Sequence, residues 1–378
     1  MPDPALTVPA AFRCAVCGGT EVARATERGD GVRVLFCAGC DMGVVEHRPA
    51  TTAQFYTDDY YHRVEGGAHG YDDYEFTAEH ALLWVKLLIE ALAPGGGAIL
   101  DIGCATGFLL RRLEGVWRRH GIETNQAAAA IAADSGVEII GTDVLAPGFA
   151  AAHAGAFDII TSIATFEHVL DIKQAVAASM AMLAPTGVLI LELPLISETR
   201  DNSNWYNGSY EHIFYPTVRG IEALFAGLPG VRFQGFETAT AGFSSTYIGA
   251  ATRDPARFAT LAGLFAAMTA EDPTALSDDA ARLNLAYAVV HDFRPTPARI
   301  LRLPVLLERH FTPNLGRRLA QLWHEDAVRA AASDWNAAQA RSVEAALEAA
   351  LEALKAGLPD RPTRKPHPLR RFFAWTGR

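Results

Sequence analysis

Four of the five cysteines stand in two pairs, Cys14-Ala-Val-Cys17 and Cys37-Ala-Gly-Cys40, separated by nineteen residues. A Cys-x-x-Cys pair can bring two thiolates to one metal, and two such knuckles complete the tetrahedral sulfur shell that structural zinc takes. A closed four-sulfur shell leaves no position for a substrate. Cys14, Cys17, Cys37 and Cys40 are therefore expected to hold a structural zinc, not a catalytic one. Disulfides or free thiols are the competing reading, and the lack of an export signal weighs against them.

Two histidines each follow a glutamate, in Phe166-Glu-His-Val169 and Tyr210-Glu-His-Ile213. Histidine is the common proton acceptor near neutral pH. His212 follows the polar, aromatic stretch Asp201 to Tyr210, which reads as a substrate loop. It is the expected general base with Glu211 assisting, against a role as a loop-anchoring hydrogen-bond donor. His168, placed just beyond a strand end, is the second candidate, against a role in fixing the following helix. A divalent ion on Glu167 and His168 would be incompletely held, because Ala164 one turn earlier brings no ligand.

Helices and short apolar strands must position these groups. A helix is expected over 77–92, stopped by Pro94-Gly-Gly-Gly. Ala98-Ile-Leu-Asp-Ile-Gly-Cys-Ala-Thr-Gly-Phe-Leu-Leu110 then reads as a buried strand, a glycine turn and a helix start. Gly103 and Gly107 allow the backbone close to a ligand, the helix start offers free N–H groups, and Asp101 can accept hydrogen bonds. Glu123 stands twenty-two residues after Asp101, where nucleotide-binding α/β domains hold a ribose diol. Strands around Val137–Asp143, Phe157–Ala164 and Val188–Pro194 continue the alternation. A parallel sheet with its crevice at the strand C-termini follows. The turn lacks the Gly-x-Gly-x-x-Gly spacing of dinucleotide sites, which counts against NAD or FAD.

Taken in order, these motifs make residues 77–250 resemble a class I methyltransferase dependent on S-adenosylmethionine (SAM). Asp101-Ile-Gly-Cys-Ala-Thr-Gly107 matches the family's first motif, with Ala105 where many members have glycine. The resemblance implies a doubly wound, Rossmann-like sheet of seven strands. It also implies a SAM site built from Asp101, Gly103, Cys104, Gly107, Glu123 at the ribose and Asp143 facing adenine. Phe157-Asp-Ile-Ile with Phe166-Glu-His-Val-Leu-Asp171 resembles the fourth-strand motif, and Leu183-Ala-Pro-Thr-Gly187 the turn before the fifth. The four-cysteine module, Tyr56, Tyr60 and Tyr61, and Tyr210-Glu-His-Ile-Phe-Tyr215 extend the similarity to bacterial methyltransferases acting on sugars and secondary metabolites. In the sugar C-methyltransferases a Glu-His pair in this segment is implicated in catalysis, which maps onto Glu211 and His212. The tyrosines either cover the methionine end of SAM, with Tyr61 the candidate, or pack the zinc module onto the domain.

The expected organisation is a zinc ribbon over 1–50, the methyltransferase domain over 51–252, a helical region over 253–358 and a basic tail over 359–378. Within the helical region one amphipathic helix is expected from Asp334 to Leu358. The 378 residues carry a net charge of -10, which disfavours nucleic acid as a partner. Residues 361–378 hold six basic residues and no acid, so a peripheral membrane or protein contact would fall there. No apolar run suits a membrane span or signal peptide, and a cytoplasmic location is expected. The expected function is methyl transfer from SAM to oxygen or carbon of a sugar or small metabolite. RNA base methylation and a non-catalytic scaffold with the same fold are the alternatives.

Overall fold

The computed structural model describes residues 12–61, 74–208, 210–240, 243–291 and 296–316, with 318, 319 and 322. The expected helix 334–358 and the basic tail lie outside the described residues. The chain divides into two compact units between Ala266 and Ala267.

The first unit opens with three short strands, β1 (Val22–Glu27), β2 (Arg33–Cys37) and β3 (Gly43–Val45). The expected ribbon is present, but its sheet has a fourth strand from far along the chain. The order is β1-β2-β3-β9, where β9 (Phe214–Tyr215) follows the second Glu-His pair. Gly43 pairs with Tyr215 and Val44 with Phe214, antiparallel. A Cβ at Gly43 would meet the ring of Phe36 at 2.7 Å and the carbonyl of Tyr215 at 2.8 Å, so glycine permits this close pairing.

Two helices follow, α1 (Tyr74–Ala81) and α2 (Leu83–Leu92). The single helix expected over 77–92 is thus interrupted at Leu82, with φ −98° and ψ 2°. Hydrogen bonds from Leu82 N to Ala78 O (3.1 Å) and from Lys86 N to Leu82 O (3.0 Å) carry the backbone ladder through it. The buried side of α2 includes Leu83, Trp84, Val85, Leu88, Ile89 and Leu92.

The main sheet then builds up as β4 (Gly96–Ile102), α3 (Phe108–Arg111), β5 (Val116–Ile122), α4 (Gln126–Asp134), β6 (Glu138–Gly141), α5 (Phe149–Ala152), β7 (Phe157–Ile163), α6 (Ile172–Met182) and β8 (Leu183–Pro194). The segment after β8 carries α7 (Ser203–Gly208), β9 and α8 (Val218–Phe225), followed by β10 (Arg232–Thr240), β11 (Phe243–Thr252) and α9 (Pro255–Thr269), within which the division between the units falls. Seven strands run in the order β10-β11-β8-β7-β4-β5-β6. β4 pairs in parallel with both β5 and β7, so the strand order reverses about β4 and opens a crevice beyond its C-terminal end. β11 and β10 close the edge as an antiparallel hairpin. This is the doubly wound, Rossmann-like sheet of seven strands that the sequence implied. Leu183–Gly187, read from the sequence as a turn, lies within β8, with a register irregularity where Phe157 pairs Leu183 and Ile159 pairs Val188.

The core reads directly from the strands. Ile99, Leu100, Ile160, Leu189, Ile190 and Leu191 are wholly buried because a parallel sheet is covered on both faces. Asp171 caps α6 through Gln174 N at 2.9 Å, and Asn125 caps α4 through Ala128 N at 2.8 Å. In the second unit α10 (Asp278–Val290) packs on α11 (Pro297–His310). Buried Asn284 donates to the carbonyls of Ala267, Met268 and Ala270 at 2.8–3.0 Å. Among the described residues no helix is long and apolar enough to cross a membrane.

Candidate functional site

A cavity of about 280 Å³ opens at the C-terminal ends of β4, β5 and β7. Gly103, Ala105, Glu123, Asp143, Thr165 and His168 line it, together with Tyr56, Tyr60, Tyr61 and Tyr74. Its floor is the turn after β4. Gly103 has φ +78°, and a Cβ there would lie 2.4 Å from the Thr165 hydroxyl, so only glycine fits. Gly107, φ +72°, starts α3 against Ala132 and Val137 and serves packing instead of the cavity.

Among the described residues three non-glycines have positive φ: Asp41 beside Cys40, Ala105 (48°) and Ala164 (49°). The last two line the cavity. The left-handed conformation of Ala105 is the physical reason glycine suits this position.

Glu123, only 4% exposed, is the best-organised acid of the site. Its Oε2 accepts from Ala105 N at 2.8 Å and from the Tyr61 hydroxyl at 3.3 Å, and its Oε1 accepts from Asn125 N at 2.8 Å. Burial raises its pKa, while these donors pull it back towards the charged form. Asp143, at the end of β6, accepts from Leu145 N at 2.8 Å and is exposed at the cavity wall.

Besides Gly107, two of the sequence-derived cofactor candidates stand away from the lining. Asp101 is buried, accepts from the Thr161 hydroxyl at 2.7 Å, and is pushed up to about pKa 7 by burial and by the charge of Glu123. Cys104 is 1% exposed and sits against Gly121, its thiol held neutral by burial and by Asp101 and Glu123. Asp101 and Cys104 shape the turn from behind.

The second wall is a buried cluster from two separate segments. Glu167 and His168 come from a 3-10 turn, Phe166–His168, after β7; Glu211 and His212 lead into β9. The His168 and His212 rings meet edge to face, 4.7 Å between centroids. Glu167 Oε1 lies 3.5 Å from His168 Nε2 and 3.9 Å from His212 Nε2. His168 lines the cavity, and His212 stands behind it against Trp205, the reverse of the order of candidates read from the sequence. Burial alone would lower the pKa of His168, but the charges of Glu167 and Glu211 raise it. Burial, His168 and Arg28 together hold His212 well below the usual imidazole range.

Tyr60 and Tyr61 connect the two walls. Tyr61 donates to Glu123, its neighbour Tyr60 donates to Glu211 Oε1 at 3.3 Å, and their rings meet edge to face at 5.1 Å. Tyr56 continues the row, 4.9 Å from Tyr60 and 6.1 Å from His168 between centroids. Asn125 Nδ2 ties this segment down through the carbonyl of Thr57 at 2.7 Å. Asn125, and the partner that Tyr60 finds in Glu211, escape a sequence reading because these contacts span 68 and 151 residues.

The four knuckle cysteines converge as expected. All four sulfurs lie within 4.8 Å of one another, with Cys14 and Cys40 3.5 Å apart and Cys17 and Cys37 3.4 Å apart. Tetrahedral zinc–thiolate bonds of about 2.3 Å imply sulfur separations just under 4 Å, so the set fits that ion. Glu167, His168 and His212 likewise place three ligand-type atoms within 4.8 Å, which completes with His212 the set that Ala164 leaves short.

Residues 76–228 match the methyltransferase-domain family. Over this stretch the chain is similar to class I, SAM-dependent methyltransferases. It is 33% identical over 120 residues to a ubiquinone biosynthesis O-methyltransferase of Thiobacillus denitrificans, covering 30% of this chain and 52% of that protein. It is 26% identical over 152 residues to the C-methyltransferase NovU of Streptomyces niveus, covering 39% of this chain and 36% of the relative. Among solved structures, SAM-bound CalS10, an amino pentose methyltransferase from Micromonospora echinaspora, aligns at TM-score 0.35 and 20% identity over 47% of this chain and 92% of that one. The chain spans about half the length of the curated O-methyltransferases it matches.

Proposed function

We propose that the protein transfers a methyl group from SAM to an oxygen or carbon of a small-molecule acceptor, a sugar or secondary metabolite. The observation that carries this reading is the pairing of a cofactor-type wall with a proton-accepting wall across one cavity. On the first, Glu123 is held by Ala105 N, Asn125 N and Tyr61 to receive a ribose diol, while Gly103 gives backbone access and Asp143 flanks the adenine. Bound SAM supplies a methyl carbon on a sulfonium, which passes to the acceptor and leaves a neutral thioether. The tyrosine row excludes water from that step. On the second wall, His168 lines the cavity and takes the acceptor proton, while Glu167 faces its Nε2. His212 and Glu211 fix the placement of His168 from behind. The cysteine cluster holds a structural zinc that stabilises the ribbon.

The test is an acceptor screen over nucleotide sugars and phenolic metabolites, read as release of S-adenosylhomocysteine. A productive acceptor whose turnover collapses in His168→Ala supports the reading; full turnover in that variant contradicts the proton-acceptor role.

A second reading is favoured by Glu167 Oε2, which is buried with no hydrogen-bond partner. Glu167, His168 and His212 would then hold a divalent cation that polarises the acceptor oxygen. Metal analysis of protein with the cysteine site saturated separates the two: a second bound ion lost in Glu167→Gln favours the metal, and zinc alone favours the histidine base.

A further inference from the structure

Arg28 belongs to the cysteine module, at the turn that follows β1, yet its side chain serves the far end of the site. It is 6% exposed. Nη1 donates to the carbonyls of Tyr210 (3.0 Å) and His212 (3.1 Å) and lies 3.2 Å from the Tyr215 hydroxyl. Nε donates to Asp30 Oδ1 at 3.0 Å, and Nη2 donates to Asp30 Oδ2, so both faces of the planar fork are fixed. Around it the module grips the same segment through its backbone. Gly29 N donates to Tyr206 O at 3.2 Å, and Val45 N to Ile213 O at 3.0 Å. Ile213 N in turn donates to Glu167 O at 2.9 Å. A Cβ on Gly29 would stand 2.6 Å from the Tyr210 hydroxyl, so a larger residue there would displace the end of that side chain.

We propose that Arg28 is a positioning residue for the methyl-acceptor wall: from the cysteine module it fixes the backbone of residues 210–215, and through it the Glu211 carboxylate and the His212 ring. The inference rests on the reading of Glu167, His168, Glu211 and His212 as the acceptor wall. Arg28 is not part of the cavity lining, so it does not bind the cofactor. A guanidinium can serve two carbonyls and a carboxylate fork at once, whereas an ammonium retains the charge but not the geometry. The module thus organises catalysis without touching either substrate.

The experiment compares zinc-loaded wild type, Arg28→Met, Arg28→Lys and His168→Ala by amide hydrogen exchange, by 15N-histidine NMR and by calorimetric SAM titration. In Arg28→Met the amides of 210–215 should exchange at least tenfold faster, and the His168 and His212 imidazole signals should move. His120 and His153 should stay in place, and the SAM Kd should remain within about threefold. Arg28→Lys should be intermediate, and it carries the same comparison if Arg28→Met does not fold. Unchanged exchange over 210–215 in the folded variants overturns the proposal. If Arg28→Met loosens the segment while His168→Ala keeps full turnover in the acceptor screen, positioning stands and the catalytic reading of the wall fails. If His168→Ala abolishes turnover while Arg28→Met leaves exchange unaltered, positioning alone fails.

Discussion

His168 and His212 meet edge to face, their ring centroids 4.7 Å apart and their planes at 69°, with Glu167 facing both Nε2 atoms. Their surroundings divide the work between them. The charges of Glu167 and Glu211 favour a proton on His168, while burial, His168 and Arg28 keep His212 neutral. Only His168 reaches the cavity. Replacing His168 with alanine should therefore lower kcat by about 10²–10⁴, the usual worth of a general base, with the SAM Kd almost unchanged. His212→Ala should cost less in kcat. Steady-state kinetics on both variants checks the order; a larger loss at His212 would contradict it.

Asp101 should make stability fall with pH. In the folded chain its carboxyl is held near pKa 7, above its ordinary value of 3.8, so between these values the unfolded chain ionises and the folded chain does not. Stability from this group is complete below the lower value and is lost as pH rises through the upper one. Asp101→Asn, which keeps an acceptor for the Thr161 hydroxyl, should raise Tm more at pH 8 than at pH 5. Thermal melts at the two pH values decide it.

These two sites also show how far the sequence could be read. The turn at Gly103, the acid Glu123 and the cysteine knuckles are legible because each depends on local spacing that a backbone turn or a metal imposes. Asp101 is legible as a strand-end acid, but its burial away from the cavity is not, since that depends on pairing with Thr161 in β7. The joining of β9 to the ribbon, the reach of Arg28 across 184 residues and the meeting of two Glu-His pairs are tertiary facts with no local pattern. The interruption at Leu82 likewise leaves no mark in an unbroken apolar stripe.

Removing the zinc proposed at Cys14, Cys17, Cys37 and Cys40 should affect more than the ribbon, because β3 pairs with β9. Chelation, or Cys37→Ser, should lower Tm by roughly 5–10 °C, as expected for a few kcal/mol in a unit of this size. Amide exchange over 213–215 should rise with it. A melt that drops while those amides stay protected would show the ribbon and the acceptor wall to be independent.

Ala105 offers a test of backbone strain. At φ 48° its Cβ costs about 1–2 kcal/mol relative to glycine, partly offset by the extra freedom glycine has when unfolded. Ala105→Gly should be neutral or slightly stabilising in chemical denaturation. Ala105→Val should destabilise by more than 1 kcal/mol, because Tyr60, Tyr61 and Ala128 pack around the site.

The most direct test is calorimetric titration of SAM into wild type and Glu123→Ala. Wild-type binding weakened tenfold or more by the substitution, as loss of a charged hydrogen-bonding pair to the ribose requires, is the predicted result. A folded, zinc-loaded wild type that binds no SAM, or a Glu123→Ala variant that binds it equally well, would contradict the account.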